Sequence, residues 1–101
     1  MQNLTKEILR FRDDRGWNQD HREKDLAISI VLEASELLEN FQWKTSEEAA
    51  VDTRQNIKEE MADVLIYLVQ LADSLDVDLE EEVYKKLEKN NIKYPVKAEN
   101  R

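Results

Sequence analysis

Apolar residues recur at steps of three and four along most of the chain, and the polar breaks between these stretches are short. That period puts them on one face of a helix, where a strand would alternate in and out. Leu4, Ile8 and Phe11 make a one-sided stripe. They predict a first helix over about residues 3–15, ending near the only glycine, Gly16. "GWNQDHRE", residues 16–23, is a polar connection holding a Trp and the only His, and His21 there reads as a surface or capping residue. A second helix is expected over about Lys24–Phe41 and a third over about Thr53–Leu75. Between them, Thr45 with Glu48 three residues on has the form of a capping box, so a short helical turn is expected there. Asp76 or Asp78 supplies the next N-cap, for a fourth helix over about 79–90. The tail "NNIKYPVKAENR" holds the only proline and reads as extended, its last residues mobile. With no repeat and no long linker, residues 1–101 read as one domain, ordered over about 3–96. The expected architecture is an all-α four-helix bundle.

Composition agrees with the pattern. The 101 residues are 41% hydrophobic and 38% charged, with one Gly and one Pro, which suits helices throughout. A chain of this length buries only a marginal core, so self-association into a dimer or tetramer is expected. There is no cysteine, hence no disulfide and no thiolate metal site. No apolar run is long enough to span a membrane, and no charged-then-apolar leader opens the sequence. A soluble cytoplasmic protein with no membrane partner is the expectation. The net charge of −8 disfavours nucleic acid as a partner. It still permits a small phosphorylated ligand reached through a divalent cation.

The candidate chemistry lies in acids placed among apolar neighbours. On the second helix, Ser29, Glu33, Glu36 and Asn40 share a stripe flanked by Leu26, Leu32 and Leu37. On the third, Asn56, Glu60, Asp63 and Tyr67 share one, with Val64, Ile66 and Leu71 beside it. A helix that is apolar nearly all round is a buried one. Asp63 should therefore face the interior or a cleft, where an isolated charge costs several kcal/mol. Such a group is protonated, paired with a base or bound to a metal. These faces carry no base. Converging Glu33, Glu36, Glu60 and Asp63 would suit one or two Mg²⁺ ions, which prefer oxygen ligands. A solvated acidic face is the alternative, and the pattern alone leaves both open.

"EASELLENFQW", then "EEMADVLIYLVQLAD", then "VDLEEEVYKKLEKNNIKYPV" together resemble the MazG-type all-α nucleoside triphosphate pyrophosphohydrolases, in particular their small dCTP-pyrophosphatase-like branch. The resemblance runs from about Leu4 to Val96. It implies that Glu33 and Glu36 match the family's E-x-x-E, and Glu60 and Asp63 its E-x-x-D, as Mg²⁺ ligands. It implies a nucleotide pocket lined by Tyr67, with Lys86 and Asn90 reaching phosphate and sugar and Trp17 and Trp43 near the base. Family members cleave a nucleoside triphosphate to the monophosphate and pyrophosphate, as dimers or tetramers with sites built across subunits. In that chemistry the ions polarise phosphate oxygens and hold the attacking water, and one glutamate takes its proton. Glu36 is the candidate base. Lys93 and Lys24 are further candidates for triphosphate contacts, with an ordinary surface role as the alternative.

Two positions depart from the pattern. Ile8 stands where dCTP-preferring relatives carry a histidine, and Asp25 where relatives carry an asparagine, which puts cytosine preference in doubt. The expected activity is Mg²⁺-dependent hydrolysis of a (deoxy)nucleoside triphosphate, in nucleotide-pool house-cleaning. Alternatives are a phosphoribosyl-ATP pyrophosphohydrolase, a helical interaction module, and a nucleotide sensor without turnover.

Overall fold

The computed structural model describes residues 1–20 and 22–97, all of them helix or connecting turn. The readings of His21 and of the last residues of the tail fall outside the described residues. Six helices follow one another: α1 (Gln2–Asp14), α2 (Trp17–Asp20), α3 (Glu23–Glu39), α4 (Ser46–Asp52), α5 (Arg54–Ser74) and α6 (Leu79–Lys93).

The ends of these helices have local causes. α1 stops where Gly16 takes φ +70°, a left-handed value that glycine adopts without a Cβ penalty. Thr45 caps α4 through the expected capping box: its Oγ1 accepts from Glu48 N–H, and Glu48 Oε1 accepts from Thr45 N–H at 2.9 Å. α5 closes in a Schellman arrangement. Val77 N–H donates to Ala72 O and Asp76 N–H to Asp73 O, with Asp76 at φ +55°. Asp78 then caps α6 by accepting from Glu81 N–H.

The spine is the hairpin of α3 and α5, the most extensive helix pair in the chain. It is antiparallel: Asn40 at the end of α3 meets Asn56 in the first turn of α5. α1 lies on α5 and is fastened by Arg12, whose guanidinium reaches Asp73 at 2.8 Å and Asp13 at 2.7 Å. α2 packs on α1, and α4 on α5.

Three expectations change. First, the polar connection after Gly16 contains a turn of helix, α2, and the turn after Thr45 is a seven-residue helix. Second, α6 runs on through "NNIK" to Lys93. Third, the chain is not a closed four-helix bundle. α6 packs a face against none of the other described helices, and Val83, Tyr84, Leu87 and Ile92 are each at least half exposed. The radius of gyration is 16.9 Å, against about 13 Å for a compact chain of this length. The buried apolar core is correspondingly thin: Ile8, Leu26, Ala49 and Val69. Val31, Leu32, Leu38 and Met61 on α3 and α5 are exposed, although apolar. Among the described residues nothing covers them.

Candidate metal and nucleotide site

α3 and α5 turn their acidic stripes toward each other. Glu33, Glu36 and Glu60 each bring one carboxylate oxygen into a group whose members all lie within 4.8 Å of one another. Glu60 is buried, Glu33 half-buried and Glu36 exposed, so the group opens on one side. Oε2 of Glu33 and Oε2 of Glu60 are buried and have no hydrogen-bond partner. Asp63 stands one turn along α5, half-buried, outside the close trio but near enough for its charge to act on Glu33. Four expected ligands thus become three in contact and one adjacent.

The electrostatics reflect this crowding. Burial pushes the Glu33 carboxyl up to about 7, helped by sharing its proton with Glu60 and by the charges of Glu36 and Asp63. For Glu60, the bond from Glu33 acts to lower the pKa. Desolvation, the contact with Glu36 and the charges of Glu36 and Asp63 act against it, and the net direction is up. Tyr67 is half-buried beyond Asp63. Its phenol is raised first by burial and then by Glu33, Asp63 and Glu36, so it shares the field of the group.

Acids held this way fit a hard divalent cation. Octahedral Mg²⁺ takes oxygens at 2.0–2.1 Å, which sets them about 3–4 Å from one another, close to the spread of the trio. A cation would also satisfy the two orphaned oxygens, which otherwise carry a desolvation penalty with no return. Glu33, Glu36 and Glu60 would hold it, with Asp63 in reach of a second position.

The other predicted residues scatter. Trp17 opens α2 and meets Phe11 edge-on, ring centres 5.7 Å apart, while the Arg15 guanidinium lies 3.5 Å over the Phe11 ring. Trp43 is 100% exposed, with φ +62°, in the turn after α3. Lys24 is exposed in the first turn of α3. Lys86 lies on exposed α6 beside Lys85 and Lys89, Asn90 is half-buried there, and Lys93 ends the helix with Nζ 5.3 Å from the Tyr94 ring centre. Because α6 packs on neither α3 nor α5, one chain does not join Lys86, Asn90 or Lys93 to the carboxylates.

Two features were missed at the sequence level. Asn40 and Asn56 were placed on the acidic stripes but not paired, yet Asn56 Nδ2 donates to Asn40 Oδ1 at 2.8 Å. Gln70, 2% exposed, keeps its Oε1 buried without a partner. Its place one turn beyond Tyr67 on the α5 stripe was the available signal.

Antiparallel helices with an acid-lined seam, in a chain without strands among its described residues, define an all-α protein with a carboxylate cluster that could hold a cation. Residues 28–101 match the model of the MazG-like family, and the chain belongs to that family. It is 41% identical over 91 residues to dCTP pyrophosphatase 1 of Mus musculus, a stretch covering 85% of this chain and 54% of that protein. The Homo sapiens dCTP pyrophosphatase 1 is likewise 41% identical, over 90 residues. The chain thus spans about half the length of the curated relatives it matches. The crystal structure of a pyrophosphatase from Archaeoglobus fulgidus shares the fold with a TM-score of 0.87 and 44% identity, over 95% of this chain and 93% of that one. Among the described residues, no helix is long and apolar enough to cross a membrane.

Proposed function

We propose that this protein hydrolyses a (deoxy)nucleoside triphosphate to its monophosphate and pyrophosphate, using Mg²⁺ held by Glu33, Glu36, Glu60 and Asp63. The observation that carries this reading is the carboxylate trio with two buried, unpartnered oxygens in a MazG-like chain. The similarity to proteins named pyrophosphatases supports it.

When bound, the metal neutralises phosphate oxygens and lowers the pKa of a coordinated water. The chain's own groups do the rest. Glu36, the exposed member of the trio, is free to accept a proton from the attacking water at its carboxylate oxygen. Tyr67 borders the acids and would hold the sugar or the α-phosphate by its hydroxyl. Trp43, whose ring buries nothing in this chain, would stack on the base, with Trp17 contributed by a second copy because it lies at the opposite end of the hairpin. Lys86, Asn90 and Lys93 would bind the triphosphate from a second copy, because α6 stands off its own hairpin. The exposed apolar residues of α3 and α6 support assembly as a homodimer or homotetramer. Lys24 would extend the cationic rim. The proposed role is removal of surplus or damaged nucleotides from the cytoplasmic pool.

A panel of canonical and modified triphosphates with Mg²⁺, including phosphoribosyl-ATP, tests the reading. Product identification should find monophosphate and pyrophosphate in equal amounts, with ¹⁸O from labelled water in the monophosphate. Orthophosphate as the sole product, or no turnover of any substrate, would overturn it.

A further inference from the structure

The amide bridge between Asn40 and Asn56 sits at one end of the acidic seam, and one of its bonds leads to the backbone carbonyl of Glu36. Asn40 is 7% exposed at the C-cap of α3. Its Nδ2 donates backward to Glu36 O at 3.2 Å and Leu37 O at 3.3 Å. Its Oδ1 accepts from Asn56 Nδ2 at 2.8 Å. Thr53, at the junction of α4 and α5, points its Oγ1 at Asn40 O, 3.5 Å away, while bonding Ala49 O at 2.8 Å. Asn40 is one turn beyond Glu36, and Asn56 one turn before Glu60. The bridge therefore links the turn of α3 that carries one ligand to the turn of α5 that carries its opposite.

We propose that the Asn40–Asn56 bridge is a positioning clamp: it fixes the register of α3 against α5 and so sets the spacing of Glu33, Glu36 and Glu60 for a divalent cation. The inference rests on the proposed metal role of these acids. The physical need for a clamp is repulsion. Three carboxylates within 4.8 Å of one another repel wherever they are ionised, and that repulsion acts across the two helices. The thin apolar core cannot fix their register alone, because apolar contact is non-directional. Slippage by one residue along a helix is about 1.5 Å, enough to spoil an octahedral site whose bonds are about 2.0–2.1 Å. A buried amide resists slippage, since Asn40 Oδ1 loses its donor when Asn56 moves away. It adds no charge to a site already crowded with it.

The test uses the full chain and Mn²⁺ as a spectroscopically visible probe of the cation site, at a temperature well below unfolding. Asn56→Ala removes the donor from an exposed position, so the fold is retained. Thr45→Ala, which breaks the α4 capping box made with Glu48, serves as the destabilised control. The expected result is an Mn²⁺ dissociation constant raised about 10-fold or more in Asn56→Ala and unchanged in Thr45→Ala, in line with the effect of outer-sphere partners. Asn56→Asp keeps the shape but faces Asn40 Oδ1 with an acceptor. The clamp predicts weaker Mn²⁺ binding there, although the added charge alone would tighten it. Wild-type affinity in Asn56→Ala, or tighter binding in Asn56→Asp, would overturn the clamp. Absence of Mn²⁺ binding in the wild type would instead overturn the metal reading itself.

Discussion

The carboxylate of Glu33 on α3 and that of Glu60 on α5 meet inside the helix seam, and each keeps one buried oxygen without a hydrogen-bond partner. Each therefore favours its neutral form in the fold. Glu33 is raised from an ordinary 4.5 to about 7, so the folded state binds its proton more tightly than the unfolded one. The stability this gives is complete below about pH 4.5 and is lost as pH rises through about 7. Thermal melts in a chelator should show the midpoint falling between pH 5 and 8. Added Mg²⁺ should reverse the trend, raising the midpoint more at pH 8 than at pH 5. A metal-free midpoint that climbs over this range would contradict the crowding.

Glu60→Gln separates stability from activity. The amide removes one charge from the group, so the metal-free protein should melt higher than wild type at pH 8. Outer-sphere changes cost about 10–100-fold in metal affinity, so loss of a direct ligand should cost at least about 100-fold in both cation binding and hydrolysis. Calorimetric titration and a pyrophosphate-release assay measure the two.

Much of this was legible before any coordinates. Periodicity found the long helices, and local chemistry found their ends at Gly16, Thr45 and Asp78. The paired acids were legible because each sits among apolar neighbours at helical spacing. Other features depend on distance between elements. Nothing local in "NNIK" says that α6 continues there, and nothing in Leu87 says that its apolar side lacks a cover. Asp63 was grouped with the trio by spacing and by the E-x-x-D resemblance, neither of which reports how far two helices diverge. The pairing of Asn40 with Asn56 needed the register of α3 on α5, which spacing within one helix does not contain.

Arg12 fastens α1 to the end of α5 with its side chain only 12% exposed. Arg12→Ala should cost about 1–2 kcal/mol, the range for a partly exposed charged pair and its hydrogen bonds. For a domain of this size, that is a drop of about 4–16 °C in the unfolding midpoint. Mn²⁺ affinity should not change, because α1 contributes no ligand.

Trp43 holds a left-handed backbone with a fully exposed ring, a combination the fold does not reward. Trp43→Gly should leave the unfolding free energy within about 1 kcal/mol of wild type, the relief of strain offset by added chain freedom. If the ring stacks on the base, KM should rise roughly 5- to 150-fold, corresponding to about 1–3 kcal/mol, with kcat less affected. Unchanged KM would remove Trp43 from the nucleotide site.

Leu79, Val83 and Leu87 recur at four-residue steps along α6, the last two at least half exposed. If chains associate through this face as proposed, Leu87→Asp should lower the particle mass by light scattering, and activity should fall with it. The wild-type melting midpoint should rise with protein concentration, as mass action requires for an associating chain.

All four acids and the amide bridge lie on one helix–turn–helix hairpin, α3 to α5. Contacts that are short-range in sequence form fast, because little loop entropy is lost in closing them. If these acids hold Mg²⁺ as proposed, their pocket takes shape early in folding, as soon as α5 has left the ribosome, and the docking of α1 comes later. A nascent hairpin would then bind the ion before the rest of the chain had settled.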